Sequence, residues 1–253
     1  LPTGPRMAEL PPLREVIARH GLSASKALGQ NFLFDEHLLD RIAAVPGDLS
    51  GRQVLEVGPG PGGLTRALLR AGARVTAIEM DRRCLPALAE LGDAFPGQLR
   101  VIEGDALKLD HAELMGGEPF AVLSNLPYNV GTALLIKWLT GPWTPASMTL
   151  MFQKEVAQML VAKPATPHRG RLSVLVERYC ADASLLFTVP SRAFTPAPKV
   201  DGAVVHFRPH PAPLHGSPLD ADDVTFDELE DLLRALFHHR RKTSQTTLGL
   251  KIG

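Results

Sequence analysis

The stretch SNLPYNV, Ser124 to Val130, places an amide, a proline and one of the chain's two tyrosines directly after a short apolar run. Pro127 fixes its own φ and pushes Leu126 toward extended backbone, so the Leu126 carbonyl is held in one direction. The Asn125 side-chain carbonyl beside it is a second acceptor. Two adjacent oxygen acceptors match an exocyclic amine, which offers two N–H bonds. Tyr128 adds a ring on which a flat base can stack, an interaction worth roughly 1–3 kcal/mol. The chemistry this suits is attack by a purine amino group on an electrophilic carbon. Such an amine is a poor nucleophile because its lone pair is delocalised into the ring. Hydrogen bonds to Asn125 and Leu126 favour a pyramidal nitrogen with the lone pair aimed outward. The proton leaves during or after transfer, so no strong base is needed, and positioning and electrostatics carry most of the rate. Without a nucleoside site nearby, the same residues read as a tight turn with a packed tyrosine.

A nucleoside site is signalled upstream. In VLEVGPGPGG, Gly58, Gly60 and Gly63 fit G-x-G-x-x-G directly after an apolar run and at the start of a helical pattern. That motif is weak alone, but the next apolar run, RVTAIE, ends in Glu79, 16 residues beyond Gly63, where a carboxylate can accept both ribose hydroxyls. Asp105, in EGDAL after the third run, can meet an adenine edge. A pyrophosphate would need backbone N–H groups at the helix start, and Pro59 and Pro61 have none. The loop therefore disfavours a dinucleotide and suits S-adenosylmethionine, which carries ribose and adenine but no phosphate.

The elements that must position these residues follow from periodicity. QVLEV, RVTAIE, LRVIE, FAVLSN and SMTLMF are short apolar runs alternating with helical patterns such as LTRALLRAG, RRCLPALAEL, GTALLIKWL and KEVAQMLVA. Continuous apolar strands separated by helices predict a parallel sheet covered on both faces. SLLFTV and AVVHF, joined by the proline-rich PSRAFTPAPKVDG, predict an antiparallel hairpin at one edge, giving seven strands in all. RLSVLVERYC fits helix or strand by period; its length and its central Glu177 and Arg178 favour helix. Toward the N-terminus, PLREVIARHG predicts a helix closed by Gly21, and FDEHLLDRIAAVPG a second with Asp35 as N-cap and Pro46 past its end. SASKALGQNFL, between them, has no clear period. RPHPAPLHGSPLDADD reads as a linker, and the segment after it is helical and ends basic.

Composition narrows the class without choosing a partner. The 253 residues, 45% hydrophobic and 21% charged, can fill one large domain with a small appendage. The formal net charge is zero, so a polyanion would have to be met by a local patch. Such patches are HHRRK, His238 to Lys242, and Arg169 and Arg171 beside KPATPHRG. A basic run at a helix end equally serves as a solvated complement to the helix dipole. Cys84 and Cys180 have neither C-x-x-C nor metal-ligand spacing and read as reduced, buried thiols in a reducing compartment. No apolar run reaches the ~18 residues needed to cross a bilayer, and LPTGPRMAEL lacks a signal peptide's apolar stretch. The expectation is a cytoplasmic protein with Met7 as its native start and a leader or tag remnant in residues 1–6.

Taken in order, LGQNFL, VLEVGPGPGGLT, AIEMD, EGDAL, SNLPYNV, MFQKEVA, FTPAPKVDGAVV and FHHRRKT resemble the motifs of the ribosomal RNA adenine N6,N6-dimethyltransferases over nearly the whole chain. Any one alone is unspecific; the ordered set is highly specific. The resemblance is strongest to bacterial members, which dimethylate two adjacent adenosines near the 3′ end of 16S rRNA in the small ribosomal subunit. It implies a Rossmann-like class I S-adenosylmethionine-dependent methyltransferase, with catalytic domain and N-terminal helical extension over residues 12–209. A small helical RNA-docking domain would occupy residues 210–253, and the chain would act as a monomer. It also implies that Asn31 and Leu33 close over the cofactor, and that Gly58, Gly60, Glu79, Asp105 and Asn125 line its pocket. Asn125, Leu126, Pro127 and Tyr128 would hold the target base, Phe194 would sandwich it from the other side, and Arg240, Arg241 and Lys242 would dock RNA. By its residues alone, Phe194 is equally a core residue.

The pattern departs from the family in two places. Gly202 stands where a serine is common, and RRKTSQTTL differs from the usual asparagine-containing ending. The chain stops soon after that motif, so the small domain is expected to lack its last helices, which bears on RNA docking rather than on methyl transfer. Three other readings share the pocket: a different RNA or DNA adenine-N6 methyltransferase, a small-molecule methyltransferase, and a noncatalytic assembly or transcription factor on the same fold. The intact NLPY and acidic residues argue against the last. A basic helical appendage is unneeded for a small substrate.

Overall fold

Apolar runs near the middle of the chain leave water on both sides at once. In the computed structural model, which describes residues 10–25, 27–127, 130–141 and 144–210, the strands β2 (Gln53–Val57), β3 (Arg74–Glu79) and β5 (Phe120–Asn125) are buried at almost every position. Successive residues of a strand face opposite sides of a sheet. Leu55 and Val57 accordingly join one apolar cluster, while Val54, the neighbour of Leu55, joins another. α6 (Gly131–Thr140), α7 (Lys154–Leu160) and α8 (Arg171–Tyr179) cover the first face. α2 (Glu36–Ala43) and α3 (Gly63–Arg70) cover the second.

The remaining strands complete a seven-stranded sheet. β4 (Leu99–Glu103) lies outside β3, and β6 (Ser147–Gln153) outside β5; β9 (Gly202–Pro209) and β7 (Cys180–Val189) follow, in the order β4-β3-β2-β5-β6-β9-β7. β9 pairs antiparallel with both β6 and β7, and the other pairings are parallel. This is the mostly parallel sheet with an antiparallel edge hairpin predicted from the sequence. Two short helices, α4 (Leu85–Ala94) and α5 (His111–Leu114), flank β4 in the chain. The strand order reverses on either side of β2, and the carboxyl ends of β2, β3, β4 and β5 meet at one rim. Open α/β sheets bind ligands at such a switch point.

RLSVLVERYC divides where its two periods conflict: α8 ends at Tyr179, and β7 begins at Cys180 and runs, with a bulge between Leu185 and Phe187, to Val189. The N-terminal extension forms α1 (Leu13–Arg19) and α2, with Asp35 accepting the Leu38 N–H at 3.1 Å as the expected cap. Arg66 of α3 is buried and donates to the Pro11 carbonyl at 2.6 Å, and the Arg41 guanidinium sits 3.8 Å above the Phe187 ring. These contacts help fasten the extension to the sheet domain, as do the Arg70–Asp40 and His20–Glu90 pairs at 2.7 Å each. Between α1 and α2 the aperiodic segment contains a strand the sequence did not disclose. β1 (Phe32–Leu33) pairs antiparallel with β8 (Phe194–Thr195), Phe32 opposite Thr195 and Leu33 opposite Phe194. Cys84 and Cys180 are free and buried, and burial pushes both thiols up to about 12. The linker and the basic helical segment, from residue 211 on, lie outside the described residues.

Candidate active site

The turn after β2 is built to bring backbone close to other groups. Gly58 and Gly60 have φ of +68° and +56°, the left-handed region that side chains disfavour. A Cβ on Gly58 would come within 3.3 Å of the Pro127 ring, and one on Gly60 within 3.3 Å of the Phe32 ring. The Gly60 N–H donates to Glu79 Oε2 at 2.9 Å, and the Asp81 N–H to Glu79 Oε1 at 2.7 Å. Glu79, at the tip of β3, therefore organises the turn as well as facing the cleft. Gly63, the third glycine of the motif, leaves room for the Leu33 carbonyl, which would lie 3.0 Å from a Cβ there.

This arrangement tests which cofactor the residues suit. Within the loop from Gly58 to Gly62, Pro59 and Pro61 have no N–H. The Gly58, Gly60 and Gly62 N–H groups are taken by the Ile78 carbonyl at 2.9 Å, Glu79 at 2.9 Å and the Pro59 carbonyl at 3.0 Å. No donor of that loop is left for a pyrophosphate. The cleft it borders encloses about 1010 Å³ of empty space, open solvent at the mouth included, which is ample for a nucleoside-sized ligand. Three carboxyl groups line it, those of Glu56, Glu79 and Asp105, and among the described lining residues there is no lysine, arginine or histidine. Carboxyls without a basic partner offer acceptors for hydroxyls and amines but no counter-charge for a phosphate, which suits a sulfonium nucleoside with an amino group. The residues present fit S-adenosylmethionine and do not fit a dinucleotide.

Asn125 ends β5, and the Ser124 hydroxyl donates to the Val57 carbonyl at 2.5 Å, which holds this tip against the last residue of the glycine strand. The Asn125 amide Nδ2 donates to the Asn31 carbonyl at 3.4 Å, so its Oδ1 keeps acceptor capacity. Asn31 and Leu33 lie on the segment that lines the cleft from the N-terminal side together with Gly58, Gly60, Glu79, Asp105, Asn125, Leu126 and Pro127. The structure thus gathers at one rim the residues that the motifs single out from separate strands. A smaller hollow, between Pro127, Thr132, Phe152 and Gln153, opens on the other side of Leu126 and Pro127. Phe194 lies 3% exposed in the second apolar cluster, with its ring 3.4 Å from where a Cβ on Gly202 would stand, and does not line either hollow. A side chain at position 202 would press on Met151 Sδ, 3.2 Å from its Cβ, and touch this ring at ordinary contact distance. Tyr128 and the basic residues Arg240, Arg241 and Lys242 lie outside the described residues. Arg169 donates to the Ala162 carbonyl at 3.0 Å and pairs with Glu177, so it serves the fold in this state.

Three features of the site were missed by motif reading. Gln30 Nε2 donates to Asp81 Oδ2 at 3.0 Å while its Oε1 accepts the Ser25 N–H at 2.8 Å, which latches the segment before β1 to the end of β3. Asp81 also takes the Arg83 guanidinium at 2.7 Å, and that bond holds its carboxyl below the usual range. The signal was present as a glutamine beside Asn31 and an aspartate in AIEMD, but pairing residues 51 positions apart requires the fold. Glu56 is the second: it is 2% exposed inside β2, and its Oε2 has no hydrogen-bond partner. Burial, opposed by Thr65 and reinforced by the charge of Glu79, pushes its carboxyl up to about 8. A charged residue inside VLEV was its only sequence mark. Burial likewise raises Glu79, although its bonds from Asp81 and Gly60 oppose the shift. The third is Lys137, on α6 behind the Asp105 loop.

Comparison with known proteins agrees with this geometry. The ribosomal RNA adenine dimethylase family model matches residues 21–252. The ribosomal RNA small subunit methyltransferase A of Erythrobacter litoralis is 62% identical over 245 residues, covering 96% of this chain and 84% of that protein. Its counterpart in Zymomonas mobilis is 58% identical, covering 94% and 84%. Among solved structures, a dimethyladenosine transferase from Plasmodium falciparum superposes with a TM-score of 0.73 at 29% identity, covering 86% of this chain and 74% of that one. The 23S rRNA methyltransferase ErmE gives 0.69 at 28% identity, covering 87% and 84%. With a carboxyl-lined cleft at the Asn125–Leu126–Pro127 tip, and a match that spans nearly all of the sequence, this chain belongs to the ribosomal RNA adenine dimethylase family.

Proposed function

We propose that this chain transfers methyl groups from S-adenosylmethionine to the N6 amines of two adjacent adenosines near the 3′ end of 16S rRNA, giving N6,N6-dimethyladenosine during maturation of the small subunit. The observation that carries the reading is the cleft at the β2–β5 switch point. It has three carboxyls, no basic side chain among its described lining residues, a turn with no N–H to spare, and the Asn125–Leu126–Pro127 tip at its rim. Relatives more than half identical over most of both chains carry the small-subunit rRNA methyltransferase name, which supports the choice of RNA.

Each residue then has a task that its position suits. Glu79 accepts the ribose hydroxyls while continuing to hold the Gly60 and Asp81 N–H groups, since each carboxylate oxygen has a second lone pair. Asp105 faces the adenine amine, Gly58 and Gly60 let the backbone approach, and Asn31 and Leu33 close the N-terminal side. When bound, S-adenosylmethionine supplies an electrophilic methyl carbon on a positively charged sulfur. Asn125 Oδ1 and the Leu126 carbonyl take the two N–H bonds of the target amine and turn its lone pair toward the cleft. Pro127 keeps that carbonyl from rotating. As the new C–N bond forms, the methyl's bond to sulfur breaks with its electron pair left on the sulfur, and the N6 proton passes to solvent. Tyr128 and Phe194 are assigned to the two faces of the base; Phe194, packed in the core in this state, must turn outward to reach it. An adenine paired in a helix cannot enter such a site, so the target is unpaired or flipped out. Arg240, Arg241 and Lys242, in the segment 210–253, are assigned to RNA phosphates, with residues 12–209 forming the catalytic domain. The chain would act as a cytoplasmic monomer on a small-subunit particle. No helix among the described residues is long and apolar enough to cross a membrane.

Mass spectrometry of rRNA from cells lacking the protein tests the reading. Two adjacent adenosines near the 3′ end of 16S rRNA should lose their methyl groups, and the wild-type chain should restore them. Asn125→Ala should not restore them, with transfer reduced about 100-fold or more, while S-adenosylhomocysteine still binds it within a few fold of wild type. Full methylation of those adenosines without the protein, or restoration by Asn125→Ala, overturns the proposal.

A further inference from the structure

The loop that carries Asp105 has little regular structure of its own. Asp105 Oδ1 accepts the Leu107 N–H at 3.0 Å, and the Lys108 N–H donates to the Asp105 carbonyl at 2.9 Å, which makes a tight turn. The carbonyls that follow point away from the cleft and converge on one ammonium. Lys137 Nζ donates to the carbonyls of Ala106 at 3.0 Å, Leu107 at 2.9 Å and Leu109 at 2.5 Å. An ammonium has three N–H bonds, and all three are used. The next residue, Trp138, donates its indole N–H to His111 Nδ1 at 2.8 Å, where the loop enters α5. Burial, helped by the Lys137 charge, lowers this imidazole to about 4, so it stays neutral and can accept. α6 therefore grips the loop at both ends, and α6 itself starts at Gly131, directly after SNLPYNV.

Lys137 does not line the cleft, whereas Asp105, Ala106 and Leu107 do. A helix-surface lysine satisfied only by backbone carbonyls of an active-site loop is poorly placed to touch ligand and well placed to hold that loop. Partial burial lowers the Lys137 ammonium, against which the acids facing it, Asp110 and Asp105, favour the charged form, and Asp105 is also approached by Lys108 at 3.9 Å. We propose that Lys137 is a positioning residue: it fixes the loop from Asp105 to Leu109 so that the Asp105 carboxylate meets the adenine amine of the cofactor, and thereby sets the preference for adenine over a purine lacking that amine. The inference rests on the assignment of Asp105 to the adenine edge made above.

Calorimetry on the full chain can separate the two. The probes are S-adenosylhomocysteine and its analogue with unsubstituted purine in place of adenine. Wild type should prefer the adenine ligand by about tenfold, the worth of one charge-assisted hydrogen bond. Lys137→Met keeps the aliphatic stem and removes the donors. It should weaken the adenine ligand about tenfold, leave the purine ligand nearly unchanged, and bring the ratio close to one. Lys137→Arg should recover most of the preference, and Lys137→Gln, with two N–H bonds, should fall between; these two decide the matter should Lys137→Met not fold. A merely structural lysine would weaken both ligands alike. If Asp105→Ala abolishes the preference while folded Lys137 variants keep it, the role of Lys137 is refuted and the Asp105 assignment stands. If wild type shows no preference, or Asp105→Ala retains it, the Asp105 assignment fails and the inference falls with it.

Discussion

Replacing Glu56 by glutamine should make the ligand-free protein more stable, by an amount that grows with pH. Glu56 is 2% exposed inside β2, its Oε2 has no partner, and its carboxyl is raised from 4.5 to about 8 by burial first, Thr65 opposing and the Glu79 charge adding. A folded-state value above the unfolded one has a definite sign. The stability linked to this group is fully present below about pH 4.5 and is lost as the pH rises through about 8, because the unfolded chain ionises freely while the folded one must bury the charge or keep the proton. At about 1.4 kcal/mol per pKa unit, the cost is roughly 3 kcal/mol at pH 7 and approaches about 5 kcal/mol above pH 8. Glutamine copies the shape of the neutral acid, with donor and acceptor, and cannot ionise. Urea denaturation of both proteins near pH 5 and near pH 8.5 reads the difference directly. The two should lie within about 1 kcal/mol of each other at the acid end and separate by about 3–5 kcal/mol at the alkaline end, glutamine being the more stable. Equal stability at both ends would mean that Glu56 ionises normally in the fold, and the burial argument would be wrong.

Two further outcomes follow from the glycine turn. Glu79→Ala strips the acceptor from the Gly60 and Asp81 N–H groups, at about 1–3 kcal/mol for each donor left buried; calorimetry should show S-adenosylhomocysteine binding weakened at least about tenfold, and unaltered binding would refute the ribose assignment. Gly58→Ala forces a side chain into φ +68° at about 1–2 kcal/mol and brings a Cβ within 3.3 Å of Pro127. Because Pro127 steers the Leu126 carbonyl, turnover should fall further than the loss of thermal stability accounts for, and a purely thermal effect with normal turnover would refute that coupling.

Much of this molecule is local and is written locally. The alternation of apolar runs with helical patterns gives a parallel sheet because strands buried on both faces have no polar alternation. Asp35 caps α2 because its side chain reaches an N–H three residues on. The rigidity of NLPY and the missing donors of Pro59 and Pro61 are properties of the residues themselves, and so the expectation of a nucleoside site without a pyrophosphate could be drawn from the chain alone. The order of motifs carried the family for the same reason, since each motif is a short contiguous stretch. What only the tertiary structure decided is pairing at a distance between groups with no periodic signature. The two-residue strands β1 and β8 are too short to show a period and find each other only because the sheet brings Leu33 beside Phe194. That the N–H groups of the glycine turn are all occupied emerges only when Glu79, Ile78 and Pro59 are seen to accept them. Lys137 reads in sequence as any solvated lysine of an amphipathic helix, and Glu56 as a lone charge inside an apolar run. Burial and the direction of backbone carbonyls give both their chemistry, and those belong to the packed chain rather than to any stretch of it.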